Sequence, residues 1–280
     1  MKSRIFTWLE QHPLVLFFPL AYLFSTMLWF PQIASAQGLT NNPASTYWHL
    51  IGGLGPMLAA ILVTGIVSGK DGLRELATRV FKWRVGGRWH LFAWLAPVVI
   101  FLVGAVVVRL VWGLWPDFRL FGRTDEYPQL PLLVWWAANI IFYGFGEEVG
   151  WRGFALPRLQ EKYGALAATA ILSIFWTIWH LPLFWFIPGY MKMGLGEFMG
   201  LSLSFFLGAV IFTWLYNSTR GSILIAAIYH GASDIVFTTP SPGNLATVIG
   251  VLVTILGIII LLTHRPATLS RIGKRVVAAD

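Results

Sequence analysis

Long apolar runs are the feature that most limits what this sequence can fold into. Eight segments are apolar over about 17–25 residues, the length that an α-helix needs to cross the hydrocarbon core of a bilayer. Only 11% of the residues are charged, against roughly 25% in an ordinary soluble domain. We therefore predict an all-α bundle of about eight transmembrane helices, a single membrane domain over residues 1–280. The predicted spans, numbered 1 to 8, are 13–34, 47–67, 89–112, 132 to beyond 147, 165–187, 198–216, 222–238 and 245–263.

The basic residues are divided unevenly between the two ends of this predicted bundle. Sixteen of the twenty Lys and Arg precede span 1, follow span 8 or lie in the loops at that same end, whereas four lie at the opposite end. Because Lys and Arg collect in short cytoplasmic loops, we expect both termini in the cytoplasm. The net charge of +8 is therefore interpreted as a signal that orients the chain in the membrane. We expect no nucleic-acid partner. The chain has no Cys, which excludes disulfides and thiolate nucleophiles.

Span 1 permits two interpretations. A basic start, an apolar run and the sequence Ala34-Ser35-Ala36 are typical of a signal peptide with its cleavage site. The apolar run is long for a signal peptide, and Glu10 lies in the leader, so a retained helix is favoured. Both interpretations place Gln37 outside, and the rest of the topology is the same.

Three predicted spans carry ionisable side chains within apolar surroundings. Such groups cost about 2.5–3.5 kcal/mol each on the insertion scale, so they are functional candidates by default. They are Glu147, Glu148 and Arg152 in span 4, His180 in span 5, and His230 and Asp234 in span 7. A shared polar cavity best explains why three separate helices bring these groups into lipid.

Helical spacing separates the two neighbouring glutamates of span 4. Glu148 and Arg152 are four residues apart, so they share a helix face and can pair. Glu147 is turned about 100° away and has no such partner. We therefore predict a structural ion pair between Glu148 and Arg152 and a free Glu147. Gly146 and Gly150 have the spacing that lets a neighbouring helix approach closely.

The histidines of spans 5 and 7 leave several interpretations open. A single histidine such as His180 is commonly a hydrogen-bonded core residue, although Pro182 could bend the helix and direct the imidazole into a cavity. His230 and Asp234 are four residues apart and share a helix face. That spacing is compatible with a local hydrogen bond or with two groups that converge on a substrate or metal.

Together these residues resemble the CPBP family, which contains the CaaX prenyl endopeptidases and the bacteriocin-processing and self-immunity proteins, also called the abortive-infection family. The resemblance covers about residues 130–240, the expected catalytic core. Its motifs are Glu147-Glu148-x-x-x-Arg152, an aromatic residue four before His180, and His230-x-x-x-Asp234. Two positions depart from the family pattern: Trp176 stands where Phe is usual, and Asp234 where Asn is frequent. Asn can donate a hydrogen bond to an oxyanion, whereas an ionised Asp cannot.

The resemblance implies an intramembrane endopeptidase. Glu147 and His180 would activate a water for attack on a peptide carbonyl, and His230 with Asp234 would stabilise the oxyanion or bind a metal. Zinc held by Glu147, His180 and His230 is compatible with these residue types, and so is a metal-free mechanism. The implied substrate is a peptide or a lipidated protein, and the implied location is a bacterial plasma membrane.

Two other functions are compatible with the same polar residues. Intramembrane Glu, His and Asp also form the proton relays of coupled carriers, but the sequence shows no repeated halves of the kind that many carriers have. A non-catalytic immunity or scaffold protein could keep the same residues. Of the three, the motif set favours the peptidase.

Overall fold

The computed structural model describes residues 4–241 and 244–277, and every regular element in these ranges is helical. Six helical stretches within them are long and apolar enough to cross a membrane. A broken helix around residue 147 and a shorter apolar helix, Ile223–Phe237, complete the predicted order of spans. The all-α membrane bundle is therefore confirmed. The side on which the termini lie stays a prediction, and residues 1–3 and 278–280 lie outside the described ranges.

The helices are labelled in chain order. The first half of the chain forms α1 (Arg4–Gln11), α2 (Pro13–Ala36), α3 (Tyr47–Gly52), α4 (Gly55–Val80) and α5 (Gly87–Trp112). The second half forms α6 (Leu132–Asn139), α7 (Gly146–Glu148), α8 (Leu156–Lys162), α9 (Ala165–Trp179), α10 (Pro188–Met191), α11 (Leu195–Ser218), α12 (Ile223–Phe237) and α13 (Leu245–Thr263). Two π-helical stretches, Ile140–Phe145 and Val149–Ala155, join α6, α7 and α8 into a single helix whose α-helical turns are interrupted twice, here called the broken helix.

Proline and glycine determine where several helices begin and end. Pro13 opens α2, where the N–H that proline lacks would have no helical partner. Helix α5 ends at Gly113, whose φ of 72° is the left-handed conformation common at helix ends. Helix α9 ends at His180, because Pro182 cannot donate a backbone hydrogen bond and the chain continues as the 3₁₀-helix Leu181–Trp185. This change of helix type places His180 at a helix end.

Helices α2 and α4 pack against the broken helix and α9. The Phe17 ring of α2 lies 4.8 Å from the Phe154 ring and 5.6 Å from the Trp151 ring, and all three are fully buried. Ser25 adds a polar connection: its hydroxyl donates to the Gly52 carbonyl at 2.8 Å and accepts from Trp179 Nε1 at 2.9 Å. Such hydrogen bonds between helices stabilise packing where water is absent.

Two glycines bring the broken helix into backbone contact with the α3–α4 turn. A Cβ on Gly146 would lie 2.5 Å from the Gly53 carbonyl oxygen, and one on Gly150 would lie 2.5 Å from Pro56 Cβ. Side chains essentially never tolerate such distances, so only glycine fits at both positions. The close approach predicted from the glycine spacing is therefore confirmed, and it fixes the segment that carries Glu147.

The segment after α13 crosses the end of the bundle at which α4 ends. Arg275 Nη2 lies 3.2 Å from Glu75 Oε1, and Gln160 Nε2 donates to the Arg275 carbonyl at 2.6 Å. Lys274 Nζ donates to the Tyr163 carbonyl at 2.9 Å. These contacts place the last turns of α4, the end of α8 and the C-terminal segment at one end of the bundle.

Candidate active site

The ionisable residues of spans 4 and 7 meet around the imidazole of His230. Its Nδ1 lies 2.7 Å from Glu148 Oε1. Its Nε2 lies 3.8 Å from Glu147 Oε1 and 3.6 Å from Asp234 Oδ2. The structure thus brings three carboxylates from two helices to a single ring. Such a density of charge within an apolar bundle is typical of a functional site.

Glu148 and Arg152 form an ion pair that is sealed from the surroundings. Arg152 Nη1 lies 2.8 Å from Glu148 Oε1, the same oxygen that faces His230. The guanidinium carbon lies 4.7 Å from the centre of the Trp176 ring and 4.2 Å from that of the Phe212 ring, within the range of cation–π interactions. One carboxylate and two aromatic faces therefore surround a charge that burial has removed from water.

Glu147 is held by two indole groups. Trp176 Nε1 donates to Glu147 Oε2 at 2.7 Å, and Trp151 Nε1 donates to the same oxygen at 3.3 Å. The prediction of a free Glu147 was therefore wrong, because the spacing argument considered only a cation on the same helix. The other oxygen, Oε1, faces His230 Nε2. One side of the carboxylate is fixed and the other side points into the cluster.

His180 joins this cluster through the ring of Trp176. The centre of that ring lies 5.6 Å from the centre of the His180 ring and 6.1 Å from that of His230. His180 Nδ1 lies 2.7 Å from the Trp176 carbonyl oxygen, so Nδ1 carries the proton and Nε2 is left for another partner. Phe205 covers His180, with ring centres 4.4 Å apart. In the described part of the chain, His180 makes no direct hydrogen bond with Glu147 or His230.

Exposure separates the cluster into an inner and an outer group. The ion pair is fully buried, whereas Glu147, His230 and His180 retain 4%, 5% and 8% of their surface. The Asp234 side chain retains 32%. Glu147, His180, His230 and Asp234 therefore retain surface that a substrate or a water can contact. The buried Glu148–Arg152 pair contacts His230 through Glu148.

The donor geometry does not form a metal site. The sequence offers Glu147, His180 and His230 as a zinc ligand set, but among the described residues no three His, Asp or Glu side chains are arranged to hold a metal ion. The Nδ1 atoms of both histidines face oxygen atoms of the protein, which leaves Nε2 of each ring as the atom available to a ligand. As they are arranged, the described side chains do not form a ligand set for a resident metal.

A second polar cluster lies one turn before Glu147. Tyr143 Oη is 3.1 Å from His49 Nδ1, which is 2.7 Å from Glu126 Oε1. Tyr127 Oη donates to the same Glu126 oxygen at 3.0 Å. The sequence gives no signal for this cluster, because His49 lies at a predicted helix end and Glu126 is 77 residues away.

Comparison with known proteins matches the part of the chain that contains the cluster. Residues 129–236 match the family model described as type II CAAX prenyl endopeptidase Rce1-like. The CAAX prenyl protease 2 of Methanococcus maripaludis is 26% identical over 229 residues, which cover 77% of this chain and 80% of that relative. The matched segment contains the whole cluster from Glu147 to Asp234. The resemblance of this chain to the CPBP family, and to its Rce1-like type, is thereby confirmed.

Proposed function

We propose that this protein is an intramembrane peptidase of the CAAX-protease type, which hydrolyses a peptide bond with a water activated by Glu147 and His180. The observation that carries the proposal is the convergence of Glu147, Glu148 and Asp234 on the His230 imidazole inside a membrane bundle. The family match and the name of the archaeal relative support a protease. The carrier and scaffold alternatives have no comparable observation in their favour.

Glu147 is the proposed general base. Its Oε2 is held by the indoles, so Oε1 can accept a proton from a water bound within about 2.6–3.2 Å. The water oxygen would attack the carbonyl carbon of the substrate, and the proton would pass from Glu147 to the departing amine. His180 Nε2, which is not needed by its own helix, would orient this water.

His230 is the proposed stabiliser of the oxyanion. Because Nδ1 faces Glu148, donation from Nε2 requires that the ring carry both protons. Three carboxylates within 3.8 Å supply the negative charge that favours such an imidazolium. One donor of this kind contributes about 2.7–4 kcal/mol to the stability of the transition state. An ionised Asp234 accepts but cannot donate, so we assign it to balancing the charge of His230.

The proposed substrate is a peptide or a lipidated protein that reaches the site within the membrane. The name of the archaeal relative refers to CAAX prenyl proteins, and prenylated proteins belong to this class. We propose the plasma membrane of a bacterium as the location. That location rests on the resemblance to bacterial family members. The relative with 26% identity is archaeal and does not bear on it.

Cleavage of membrane-bound peptides by the purified protein in lipid vesicles tests the proposal. Glu147→Gln keeps the size of the side chain but removes the base, so kcat should fall by about 10²–10⁴-fold while the unfolding midpoint in detergent changes little. The matched control is Glu161→Gln on α8, an exposed carboxylate outside the cluster, which should keep full activity. Full activity of Glu147→Gln would refute the peptidase site, and proton uptake without cleavage would favour the carrier.

A further inference from the structure

We propose that Trp176 is a positioning residue of the peptidase site. Its indole N–H fixes the direction of the Glu147 carboxylate, and its ring keeps Arg152 paired with Glu148. This inference rests on the proposed function. Phe, the usual residue at this position in the family, has no N–H, so the contact is a property of this chain.

Trp176 contacts four residues of the cluster through different parts of its side chain. Nε1 donates to Glu147 Oε2 at 2.7 Å, the shorter of the two indole contacts to that oxygen. One ring contact is with the guanidinium of Arg152, and edge contacts reach the rings of His180 and His230. Only 6% of the residue is exposed. A rigid, buried bicyclic ring therefore sets the relative positions of these groups.

The same ring separates the roles of two adjacent carboxylates. Glu147 and Glu148 are adjacent in the chain, so the long side chain of Arg152 can reach either carboxylate. Its guanidinium lies against the aromatic faces of Trp176 and Phe212, and its Nη1 is directed to Glu148. Glu147 receives neutral donors instead. A neutral indole orients the Oε2 side of the carboxylate without forming an ion pair with it, so Oε1 is left to accept a proton.

Packing alone does not account for this contact. A buried indole N–H needs a partner, but a neutral one suffices, as Trp179 shows by donating to the Ser25 hydroxyl. Trp176 instead donates to a carboxylate whose other oxygen faces His230. The geometry is that of a group which holds a reactive carboxylate in one orientation.

Trp176→Phe tests the role of the N–H, because it removes the donor and keeps an aromatic face for Arg152. We expect kcat to fall about 10- to 100-fold with KM changed by less than about 2-fold, since a hydrogen bond to a charged group is lost and no substrate contact is removed. Trp136→Phe is the matched control: its indole donates to the Gly122 carbonyl at 2.9 Å, away from the cluster, and activity should be kept. In a Glu147→Gln background, Trp176→Phe should cause no further loss, because Trp176 acts through Glu147.

The indole resonances test the contact without any need for activity. In the ¹⁵N–¹H spectrum of the protein in detergent, the Trp176 indole signal should shift in Glu147→Gln, while that of Trp136 should stay. An unmoved Trp176 signal, a wild-type kcat in Trp176→Phe, or an equal further loss in the Glu147→Gln background would each overturn the role. Absence of cleavage by the wild-type protein would refute the proposed function and this role with it. An active wild type with an unaffected Trp176→Phe would refute the role alone.

Discussion

At the scale of single residues, one oxygen of Glu148 joins the parts of the site. It lies 2.8 Å from Arg152 Nη1 and 2.7 Å from His230 Nδ1. The first contact follows from residues four apart on one helix. The second joins residues 82 apart in the chain, and no local spacing indicates it. Glu148 therefore supports the ion pair and also orients the imidazole.

Removal of Arg152 should destabilise the fold. Arg152→Ala removes one partner of a buried ion pair and leaves the His230 imidazole as the remaining partner of Glu148, at a cost of about 3–5 kcal/mol. Unfolding in detergent, followed by circular dichroism, measures the change. Arg74→Ala is the matched control, because the Arg74–Asp71 pair at 3.2 Å is exposed, with 81% and 94% of the two side chains accessible. Its loss should cost less than about 1 kcal/mol. Equal stabilities of the two variants would contradict the assignment of a buried charged pair.

Residue chemistry also shows where local patterns are insufficient. From the sequence, Trp176 is a large aromatic residue in place of Phe. That description accounts for its ring contact with Arg152. The hydrogen bond from Trp176 to Glu147 depends on how α9 packs against the broken helix. The spacing of residues within either helix does not predict that packing. The contact between His49 and Glu126 likewise depends on tertiary packing, so the sequence does not predict it.

At the scale of helices, the spans were predictable and their internal irregularities were not. The thickness of the bilayer sets the length of an apolar helix, so the order and approximate bounds of the spans follow from composition. Hydrophobic length cannot distinguish α-helical from π-helical turns. The two glutamates of the site lie on α7, between the π-helical stretches Ile140–Phe145 and Val149–Ala155. Such turns often occur at functional sites.

The close packing of the broken helix gives a prediction for Gly150. In Gly150→Ala the new Cβ would lie 2.5 Å from Pro56 Cβ and 2.7 Å from its backbone, so the helix must move. Overpacking of this kind costs about 1–3 kcal/mol, and kcat should fall because Glu147 moves with the helix. The unfolding midpoint in detergent and the rate of peptide cleavage measure the two effects.

Gly200→Ala on α11 is the control for this substitution. A Cβ there has no neighbour within 4 Å, so stability should be unchanged or slightly higher, as expected for alanine in a helix. If both variants had the wild-type midpoint, the tight approach at Gly150 would be refuted.

At the scale of the whole molecule, packing and charge agree about which parts of the chain share an end of the bundle. The Arg275–Glu75 contact at 3.2 Å joins the C-terminal segment to the end of α4. The uneven distribution of Lys and Arg predicts the cytoplasm for that end. Neither argument uses the identity of the site, so the topology can be tested separately.

Single cysteines provide that test, because the chain has none of its own. We expect Asp71→Cys and Ile272→Cys to react with an impermeant thiol reagent from the cytoplasmic side, and Asn41→Cys from the opposite side. All three positions are exposed. The unsubstituted chain is the control for background labelling. Labelling of Asn41→Cys and Ile272→Cys from the same side would refute the predicted topology.

The π-helical stretch before α7 has a consequence for insertions and deletions. A π turn contains about one residue more than an α turn. Deletion of one residue within Ile140–Phe145 would leave a segment that can form a regular α-helix and still cross the bilayer. Because the deletion removes the residue by which the π turn exceeds an α turn, the residues after it would keep nearly the same direction relative to α6, and Glu147 would still face His230. If instead all six residues became α-helical, the residues after them would be rotated by about 100° relative to α6, which would turn Glu147 away from His230. The site can therefore survive the loss of one residue from this stretch, but it can be lost by conversion of the whole stretch to α-helix with every motif residue unchanged.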